Sequence, residues 1–549
     1  MNIFFGFEVR TWLRSPMTWI FFGVIALLTF FATASDSVSL GGSVGSVRKN
    51  APAVVQQYYL IMSILSLLMT TAFMSATAMR DFSSGMYQFV FTSPIRKASY
   101  FFGSFLGSSL IATVPLLGVS LGSLLAPLMP WVTPERYGDV VWLGHLYGYL
   151  GFALPNTVLV AVWIYGLAIT FRSTMISFVG ALVLLVLYGL SSTLTNDLSS
   201  EWLAAMLDPF GGSAFNLATK YATVDEKNTT AVAITGVILL NRLCWLGIAA
   251  LALLGIYGRF RFSIRPSRQK SPHNAVVVKK PEPFQPATPS FTSGSKRLLY
   301  DIRHETKAVL RNQTFLIILV VGSVNLIATL FGIKGSYGNT VYPTTYSIIS
   351  AIQNSFYAFL IGIITFYSGY VVWRERDARI ADITDTTPSG VLGRTAAKII
   401  ALNTAVAVVL LSTIVVGIVF QLCRGYSQIE LDQYISRLLI FDLLGFTYLI
   451  VAAFLIHNVI NNRYIGYFAF VAFIVLNAFV WGPLDVSTLM VQFGKTPQLQ
   501  YSDMNGFGPY LKGELWFNAY WLAAATVLFI VCAAFTVRGH ATTWKQRLS

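Results

Sequence analysis

The 549-residue chain has little charge: only 11% of its residues are Asp, Glu, Lys or Arg, while 55% are hydrophobic. Soluble domains carry about 25% charged residues, so this chain has too few to cover the surfaces of several soluble domains. The apolar excess therefore indicates a polytopic membrane protein. The net charge of +15 is typical of basic cytoplasmic loops on such a protein, and we do not expect nucleic-acid binding.

The residues and motifs of the commonest catalytic and metal sites are also missing. Five histidines leave little room for a metal site, and His304-Glu305 does not continue as H-E-x-x-H because position 308 is alanine. No G-x-x-x-x-G-K-[ST] motif occurs. An odd number of cysteines, in or beside apolar runs, argues against a disulfide framework: these are Cys244, Cys423 and Cys532. We therefore expect no enzyme activity, metal or cofactor in this chain.

Long apolar runs dominate what is present. A bilayer-spanning helix takes about 20 apolar residues, and in lipid the backbone must form helices to satisfy its own hydrogen bonds. Pro115 is the expected kink site of the long third run. Twelve runs qualify: 17–34, 58–79, 100–127, 145–170, 174–195, 236–258, 314–333, 351–373, 396–423, 437–457, 464–483 and 515–537.

The distribution of charge predicts the orientation of these spans. Twelve spans return the chain to the side on which it starts. If that side is the cytoplasm, the inner segments hold 27 of the 38 Lys and Arg residues and only 9 of the 23 Asp and Glu residues. This agrees with the positive-inside rule. Both termini are therefore predicted to be cytoplasmic.

The two halves of the chain resemble each other. The pattern E-x-[RK]-x-[WV]-L-R-[SN] begins at Glu8 and again at Glu305, 297 residues later, and leads into a span each time. Further pairs follow at offsets of 296 and 294: Arg80-Asp81 with Arg376-Asp377, and Thr92-Ser93-Pro94 with Thr386-Thr387-Pro388. Asn241 and Trp245 parallel Asn518 and Trp521 with a one-residue slip. Matches in this order indicate an internal duplication.

The duplication predicts an all-α integral membrane protein with about twelve spans, arranged as two six-helix repeats. Because six spans return the chain to its starting side, the repeats are parallel. We expect a first repeat at 1–258, a cytoplasmic linker at 259–295, and a second repeat at 296–549. The linker is basic and rich in proline, so it is predicted to be an extended tether.

An amphipathic helix precedes each half. In residues 2–14 one face carries Phe5, Val9, Trp12 and Leu13, and the other carries Arg10, Thr11 and Arg14. Residues 296–311 show a similar stripe: Leu299, Ile302, Thr306, Val309 and Leu310. Such helices lie in the membrane interface. They serve either as simple anchors or as levers that link a cytoplasmic partner to the spans.

The loops at 80–99 and 374–398 carry the strongest functional signal. Each begins with Arg-Asp at the end of a span and reaches a Thr/Ser-Pro step about a dozen residues later, which favours a short helix ending in a turn. The mixed charges of the second loop suit a protein-docking surface: Arg374, Glu375, Arg376, Asp377 and Arg379. The alternative is an ordinary solvated loop.

Ionisable residues inside spans mark transport pathways when they form chains. Here they are few and lie near span ends: Arg242, Asp442, His457 and His145. We predict simple interfacial placement for them. Their scarcity weighs against a carrier driven by a proton or sodium gradient.

These features together resemble the type-2 permeases of ATP-binding cassette (ABC) exporters. Two segments are more specific. Trp373 to Asp377 with Thr386 to Pro388, and Tyr501 to Gly508 followed by Trp516 and Tyr520-Trp521, resemble the membrane portion of a Bacteroidetes permease group that is often fused to a C-terminal zinc aminopeptidase of the gluzincin type. The chain stops at Ser549 without that peptidase, as either a naturally short or a trimmed permease, so peptidase activity is not expected.

The resemblance implies that the chain lies in a bacterial inner membrane and binds separate ABC ATPase subunits, two in number, which hold ATP and Mg²⁺. It implies docking by the two loops, through Arg80, Asp81, Thr92, Ser93 and Pro94 in the first and Arg374, Glu375, Arg376, Asp377, Thr386, Thr387 and Pro388 in the second. The interfacial helices would transmit the motion, with Glu8, Arg10, Trp12 and Arg14 in one and Glu305, Lys307 and Arg311 in the other.

Two other function classes stay open on the sequence alone. One is an ion-gradient-driven secondary carrier, which would work without an ATPase. The other is a membrane scaffold for an extracytoplasmic peptidase. Spans rich in Ser, Thr, Gly and aromatic residues, without a charged cluster, mildly favour an amphipathic or lipid-like cargo.

Overall fold

A computed structural model describes the chain except for residues 1, 36–44, 195–200, 263–293, 334–340, 379, 386–389, 461, 483, 485 and 537–549. Among the described residues every regular element is a helix, apart from one isolated bridge between Ser502 and Gly506. The protein is an all-α integral membrane protein, as the sequence predicts.

The first half contains α1 (Asn2–Leu13), α2 (Pro16–Ala34), α3 (Pro52–Ser84), α4 (Tyr87–Thr92), α5 (Lys97–Leu128), α6 (Trp142–Phe171), α7 (Thr174–Leu194), α8 (Glu201–Leu207), α9 (Gly212–Thr219), α10 (Val224–Thr229) and α11 (Gly236–Arg259). A 3₁₀ turn at Val114–Leu117 interrupts α5. Pro115, the predicted kink site, lies in this turn, and its missing N–H explains the interruption of the α-helix. A π-helical segment, Tyr149–Ala153, lies within α6.

The second half contains α12 (Gly294–Leu310), α13 (Gln313–Phe331), α14 (Thr345–Asp377), α15 (Ala381–Asp385), α16 (Val391–Cys423), α17 (Leu431–Val459), α18 (Arg463–Phe479) and α19 (Gly508–Ala534). It has a π-helical segment, Ile435–Asp442, within α17. The eight helices α12 to α19 of the second half thus occur in the same order as α1 to α7 and α11 of the first half.

Ten described helices are long and apolar enough to cross a bilayer: α2, α3, α5, α6, α11, α13, α14, α16, α17 and α19. The predicted fifth and eleventh spans fall on α7 and α18, whose apolar stretches are shorter, at Ile176–Gly189 and Ile465–Ala478. The total of twelve spans therefore stays a prediction.

Each half begins with the same local geometry. The Ser15 hydroxyl accepts a hydrogen bond from the Met17 amide at the start of α2 (3.3 Å). The Asn312 side chain accepts one from the Thr314 amide at the start of α13 (2.9 Å). Both are N-caps, which satisfy otherwise unbonded amides of the first turn. Each cap lies two residues after the end of the interfacial helix, at Leu13 or Leu310, and begins the span as a separate element.

The packing of each half follows the same scheme. The interfacial helix α1 packs on α5, and α12 packs on α16. Between the halves, α7 packs on α13 and α14, while α18 packs on α2 and α3. The hydrophobic core of the second half therefore includes Val179 and Leu182 of α7, and a core cluster of the first half includes Phe468 of α18.

At the opposite end of each half a long loop precedes the last span: it lies between α7 and α11 in the first half and between α18 and α19 in the second. The Trp245 indole donates to the Met206 carbonyl (3.0 Å), and the Trp521 indole donates to the Lys495 carbonyl (2.8 Å). Asn241 also donates to the Ala205 carbonyl (2.6 Å). Both tryptophans, and Asn241 in the first half, thus fix the long loop to the last span, whereas Asn518 donates to the Glu514 carbonyl within α19 (2.9 Å).

Candidate functional site

The 80–99 and 374–398 loops lie at the same end of the helix bundle. Asp377, the last residue of α14, pairs with Arg463, the first residue of α18 (2.7 Å). Phe468 of α18 in turn contacts Phe21 near the start of α2, with ring centroids 3.6 Å apart. The helix α1 directly precedes α2, and Glu8 of α1 pairs with Arg80 at the end of α3. The first loop, which follows α3, therefore lies at the same end of the bundle as the second loop, which follows α14.

A buried ion pair joins the first interfacial helix to the end of α3. The Arg80 guanidinium donates to both carboxylate oxygens of Glu8, at 2.7 and 3.0 Å, and the Ser108 hydroxyl donates to the same carboxylate (3.3 Å). Glu8 is only 3% exposed, and burial raises the pKa of its carboxyl while the Arg80 charge opposes this shift. Paired, hydrogen-bonded charges of this kind hold two elements in one orientation.

The second half has the same pair. One nitrogen of the Arg374 guanidinium donates to both carboxylate oxygens of Glu305, at 2.8 and 3.0 Å, and Glu305 is 7% exposed. Each arginine also lies near the face of an aromatic ring, Trp12 for Arg80 (5.9 Å) and Tyr370 for Arg374 (6.0 Å). The two interfacial helices are thus fixed in the same way.

This geometry shifts part of the sequence alignment by two residues. Arg374 and Glu375, rather than Arg376 and Asp377, take the positions of Arg80 and Asp81, at an offset of 294. The Thr/Ser-Pro steps have that same offset. Arg376 instead lies over the Trp373 ring (4.9 Å).

The predicted short helices are present as α4 and α15, and their surroundings differ in chemistry. In the first loop the Tyr100 hydroxyl donates to Asp81 (2.7 Å), and Phe91 contacts the Tyr100 ring (6.2 Å). At the equivalent positions of the second loop, Arg394 pairs with Glu375 (3.0 Å) and Asp385 (3.1 Å).

Further groups extend this difference. Lys398 is a second cation on Glu375 (3.2 Å), so the second loop is held by a chain of four charges. In the first loop, Phe262 at the start of the linker packs on Phe91 (4.8 Å), and Phe260 is 8% exposed beside it. The first loop is therefore held by aromatic packing.

The other predicted site residues have varied environments. Thr92 and Ser93 are exposed and donate to the carbonyls of Gln88 (2.9 Å) and Phe89 (2.7 Å), which ends α4 just before Pro94. Thr386, Thr387 and Pro388 lie outside the described residues. On the interfacial helices Trp12 is buried and donates to the Thr77 hydroxyl (3.1 Å), while the four basic residues of the prediction are exposed: Arg10, Arg14, Lys307 and Arg311.

The predicted apolar stripes of these helices differ in one respect from their buried faces. Leu13 is 37% exposed and Leu299 is 66% exposed, whereas Glu8 and Glu305 are buried. The acidic residues replace leucine on the buried face because each has an arginine partner at the end of a span. The glutamate that opens both copies of the duplicated motif is the signal that could have identified them.

Of the four ionisable residues near the span ends, three are buried within the protein (Arg242, His145 and His457) and Asp442 is half-buried; their interfacial placement stays a prediction. Arg242 is 5% exposed and donates to the Asn156 side chain (2.5 Å). Asp442 accepts from Gln353 (2.9 Å), and His145 hydrogen-bonds with Ser120 (2.8 Å). His457 lies against the Tyr467 ring (5.1 Å). Sequence position near a span end did not reveal these partners, because they come from other helices.

Comparison with known proteins gives one family match. Residues 302–480, from α12 through α18 and just beyond, match the family described as ABC-2 family transporter protein. No curated protein and no solved structure matches the chain. The matched region includes Glu305, Arg374, α15 and the four-charge chain, so the second loop belongs to the part of the chain that carries the family resemblance.

Proposed function

We propose that the chain is the transmembrane permease component of an ABC exporter, driven by separate ATPase subunits, because residues 302–480 match the ABC-2 transporter family. The observation that carries this proposal is the repeated junction. Two short helices lie at one end of the bundle, and beside each a buried Glu–Arg pair ties the preceding span to an interfacial helix. Two equivalent junctions suit two equivalent motor subunits.

In this proposal residues 1–258 and 296–549 are two parallel six-span units, joined by the linker at 259–295. One chain then supplies what two subunits would supply in a dimer. The end with the loops faces the cytoplasm of a bacterial cell, as do both termini. ATP and Mg²⁺ bind to the ATPase subunits, and no residue of this chain acts on them.

The ion pairs give a route for motion from the loops to the spans. An ATPase contacts the first loop at Arg80, Asp81 and Thr92 to Pro94, and another contacts the second loop at Arg374 to Asp377 and Thr386 to Pro388. When an ATPase moves α4, the end of α3 moves with it. The Arg80–Glu8 pair transmits this movement to α1, which packs on α5. The second loop acts on α12 and α16 in the same way. The two halves then rock against each other.

A cavity between the halves supports an apolar cargo. It lies near the end of the bundle that carries the loops, and its lining is almost wholly apolar: it includes Phe21, Leu28, Met69, Phe178, Phe366 and Phe468. Apolar walls favour a substrate with an apolar part, because they offer few hydrogen bonds to a polar one. This agrees with the amphipathic or lipid-like cargo suggested by the span composition.

Purification of the full chain from its own organism tests the proposal. We expect an ATPase subunit with a G-x-x-x-x-G-K-[ST] motif in the complex, and ATP hydrolysis that depends on Mg²⁺ after reconstitution into liposomes. Charge reversal at Arg80 and Arg374 together should leave hydrolysis in place and uncouple it from transport.

Two results would contradict the proposal. Transport by the chain alone in liposomes, driven by an ion gradient, would identify a secondary carrier. Isolation with a hydrolase and no ATPase would identify a scaffold.

A further inference from the structure

A polar cavity of about 340 Å³ lies beside the Glu305–Arg374 pair, among α12, the end of α14, α15 and the start of α16. Among the described residues, four basic side chains and three carboxylates line it, and it shares no lining side chain with the apolar cavity between the halves. Ligand sites commonly occupy about 300–1,000 Å³. The space therefore suits a small polar group that carries charge.

The first half has aromatic rings at equivalent positions. Asp301 corresponds to Phe4 at the offset of 297 between the two copies of the duplicated motif, and Arg394 corresponds to Tyr100 at the offset of 294. The rings of Phe4 and Tyr100 are in contact, with centroids 5.4 Å apart. Buried ion pairs are often no more stabilising than apolar side chains of similar volume. The charged lining of the second half is therefore not required to build this junction, which points to a role in binding.

The basic side chains of the cavity do not use all of their donors. A single nitrogen of the Arg374 guanidinium donates to both carboxylate oxygens of Glu305. The Lys398 ammonium contacts one oxygen of Glu375 at 3.2 Å, and Arg394 binds the other oxygen of that carboxylate. Within the described part of the chain, Arg374 and Lys398 thus keep N–H donors for a further acceptor. Phosphate is the acceptor that such cations bind best.

Asp301 supplies the opposite charge. It is half-buried and lines the cavity, and the ion pairs of the described lining residues engage Glu305 and Glu375 but not this carboxylate. An ammonium would compensate its charge. Ile380 also lines the cavity and is 44% exposed, so the edge of the cavity is partly apolar.

The position of the cavity fits a lipid. One wall is the amphipathic helix α12, and such helices lie at the level of the phospholipid headgroups. A headgroup that carries both a phosphate and an ammonium matches the two kinds of charge in the cavity, and an acyl chain matches the apolar edge.

We infer that this cavity binds a zwitterionic group, as in a phosphatidylethanolamine headgroup, with its phosphate on Arg374 and Lys398 and its ammonium on Asp301. A soluble phosphoethanolamine compound has the same chemistry, and the experiment below distinguishes the two sources. The bound group would connect α12 with α14 and α16. The inference concerns binding alone and does not depend on the proposed function.

Titration of the full chain in a non-ionic detergent tests the inference. The probes are short-chain phosphatidylethanolamine, short-chain phosphatidylglycerol, which lacks the ammonium, and glycerophosphoethanolamine, which lacks the acyl chains. By calorimetry we expect phosphatidylethanolamine to bind about tenfold more tightly than phosphatidylglycerol, the effect of one hydrogen bond between charged groups. Equal binding of glycerophosphoethanolamine would identify a soluble ligand, and binding of phosphatidylethanolamine without it would identify a lipid.

Two variants separate the charges. Asp301→Asn should abolish the preference for phosphatidylethanolamine and leave phosphatidylglycerol binding unchanged, whereas Lys398→Gln should weaken both by about tenfold. Because no described ion pair includes Asp301, thermal unfolding of Asp301→Asn without lipid should match the wild type, so this variant decides the question even if Lys398→Gln is unstable. Arg303→Gln and Lys307→Gln are the controls, since both residues are exposed on α12 and neither lines the cavity.

Three results would overturn the inference: equal binding of the two lipids by the wild type, an unchanged preference in Asp301→Asn, or no binding of any probe, which would mean a cavity that holds only water. None of these results concerns an ATPase partner, so the permease assignment would stand.

Discussion

Three equivalent positions carry different chemistry in the two halves. Asp81, Phe91 and Tyr100 correspond to Glu375, Asp385 and Arg394 at one constant offset, and the last residue of each set, Tyr100 or Arg394, contacts both others. The Glu8–Arg80 and Glu305–Arg374 pairs, by contrast, are identical in kind. The connection from each loop to its interfacial helix has thus been kept, while the packing of the short helix has changed.

Loss of the buried carboxylates should uncouple the loops from the interfacial helices. Glu8→Gln removes the charge that compensates Arg80, whose side chain is 29% exposed, so we expect a stability loss of about 1–3 kcal/mol. Transport per ATP hydrolysed should fall several-fold, while hydrolysis itself continues. Thermal unfolding in detergent and transport by liposomes measure the two effects.

The matched control is Arg10→Gln, because Arg10 is exposed on the same helix. Exchange of the pair, as Glu8→Arg with Arg80→Glu, should recover part of the coupling. Full coupling in Glu8→Gln would contradict the role given to this pair.

At the scale of elements, the contact of α1 with α5 depends on a glycine. A side-chain carbon at Gly107 would lie 2.8 Å from the Phe5 carbonyl oxygen and 2.9 Å from the Glu8 side chain, both too close. The equivalent position in the second half is Ala401, which is fully buried. Small residues at these positions let the interfacial helix approach the span closely, as in other membrane helix pairs.

Gly107→Leu should therefore push α1 away from α5 and weaken the Glu8–Arg80 pair. We expect a loss of about 1–3 kcal/mol from overpacking and the same uncoupling as in Glu8→Gln. Gly23→Leu is the control, because no atom lies within 4 Å of a side-chain carbon at Gly23. Thermal unfolding and transport assays compare the two variants, and equal behaviour would argue against a close α1–α5 contact.

The two short helices should also differ in their response to salt. The Debye length falls from about 10 Å at 0.1 M to about 3 Å at 1 M salt, which weakens the ion pairs around α15 more than the aromatic contacts around α4. We expect amide hydrogen exchange to accelerate at high salt in residues 381–385 and to change little in residues 87–92. Arg394→Tyr should abolish the difference; a salt effect of equal size on both helices would contradict it.

At the scale of the whole molecule, the contacts at α2, α14 and α18 place both loops at one end of the bundle. The halves meet along α7 with α13 and α14, and along α18 with α2 and α3. The apolar cavity is lined by α2, α3 and α18 and also by Phe178 of α7 and Phe366 of α14, so it touches both contacts. Movement of one half against the other would therefore change the shape of this cavity.

Labelling of single cysteines from each side of the membrane tests the orientation. In a cysteine-free background, Ser84→Cys and Ile383→Cys should react from the cytoplasmic side. Tyr221→Cys and Met504→Cys should react from the opposite side, because these residues are 85% and 92% exposed in the long loops. Reaction of positions 84 and 383 from different sides would exclude parallel units.

The sequence predicted the helical fold, the short helices and an irregularity of the third span at Pro115, because these follow from local composition and periodicity. It did not predict the Glu8–Arg80 pair or the partners of Arg242, because these residues are far apart in sequence and meet only through packing. The two-residue shift from Arg376 to Arg374 has a similar cause. The dipeptide Arg-Asp occurs again in the sequence at positions 376 and 377. The partner of Glu305, however, depends on which face of α14 points toward α12.

A pair of identical subunits cannot carry Tyr100 on one side and Arg394 on the other, since every substitution in such a pair occurs twice. A single polypeptide removes that restriction. Under the proposed function, one change in one gene then alters a single contact with an ATPase subunit, so transporters with one intact and one defective contact can be made as a uniform population. Their turnover would test whether the proposed pair of ATPase subunits acts together or in alternation.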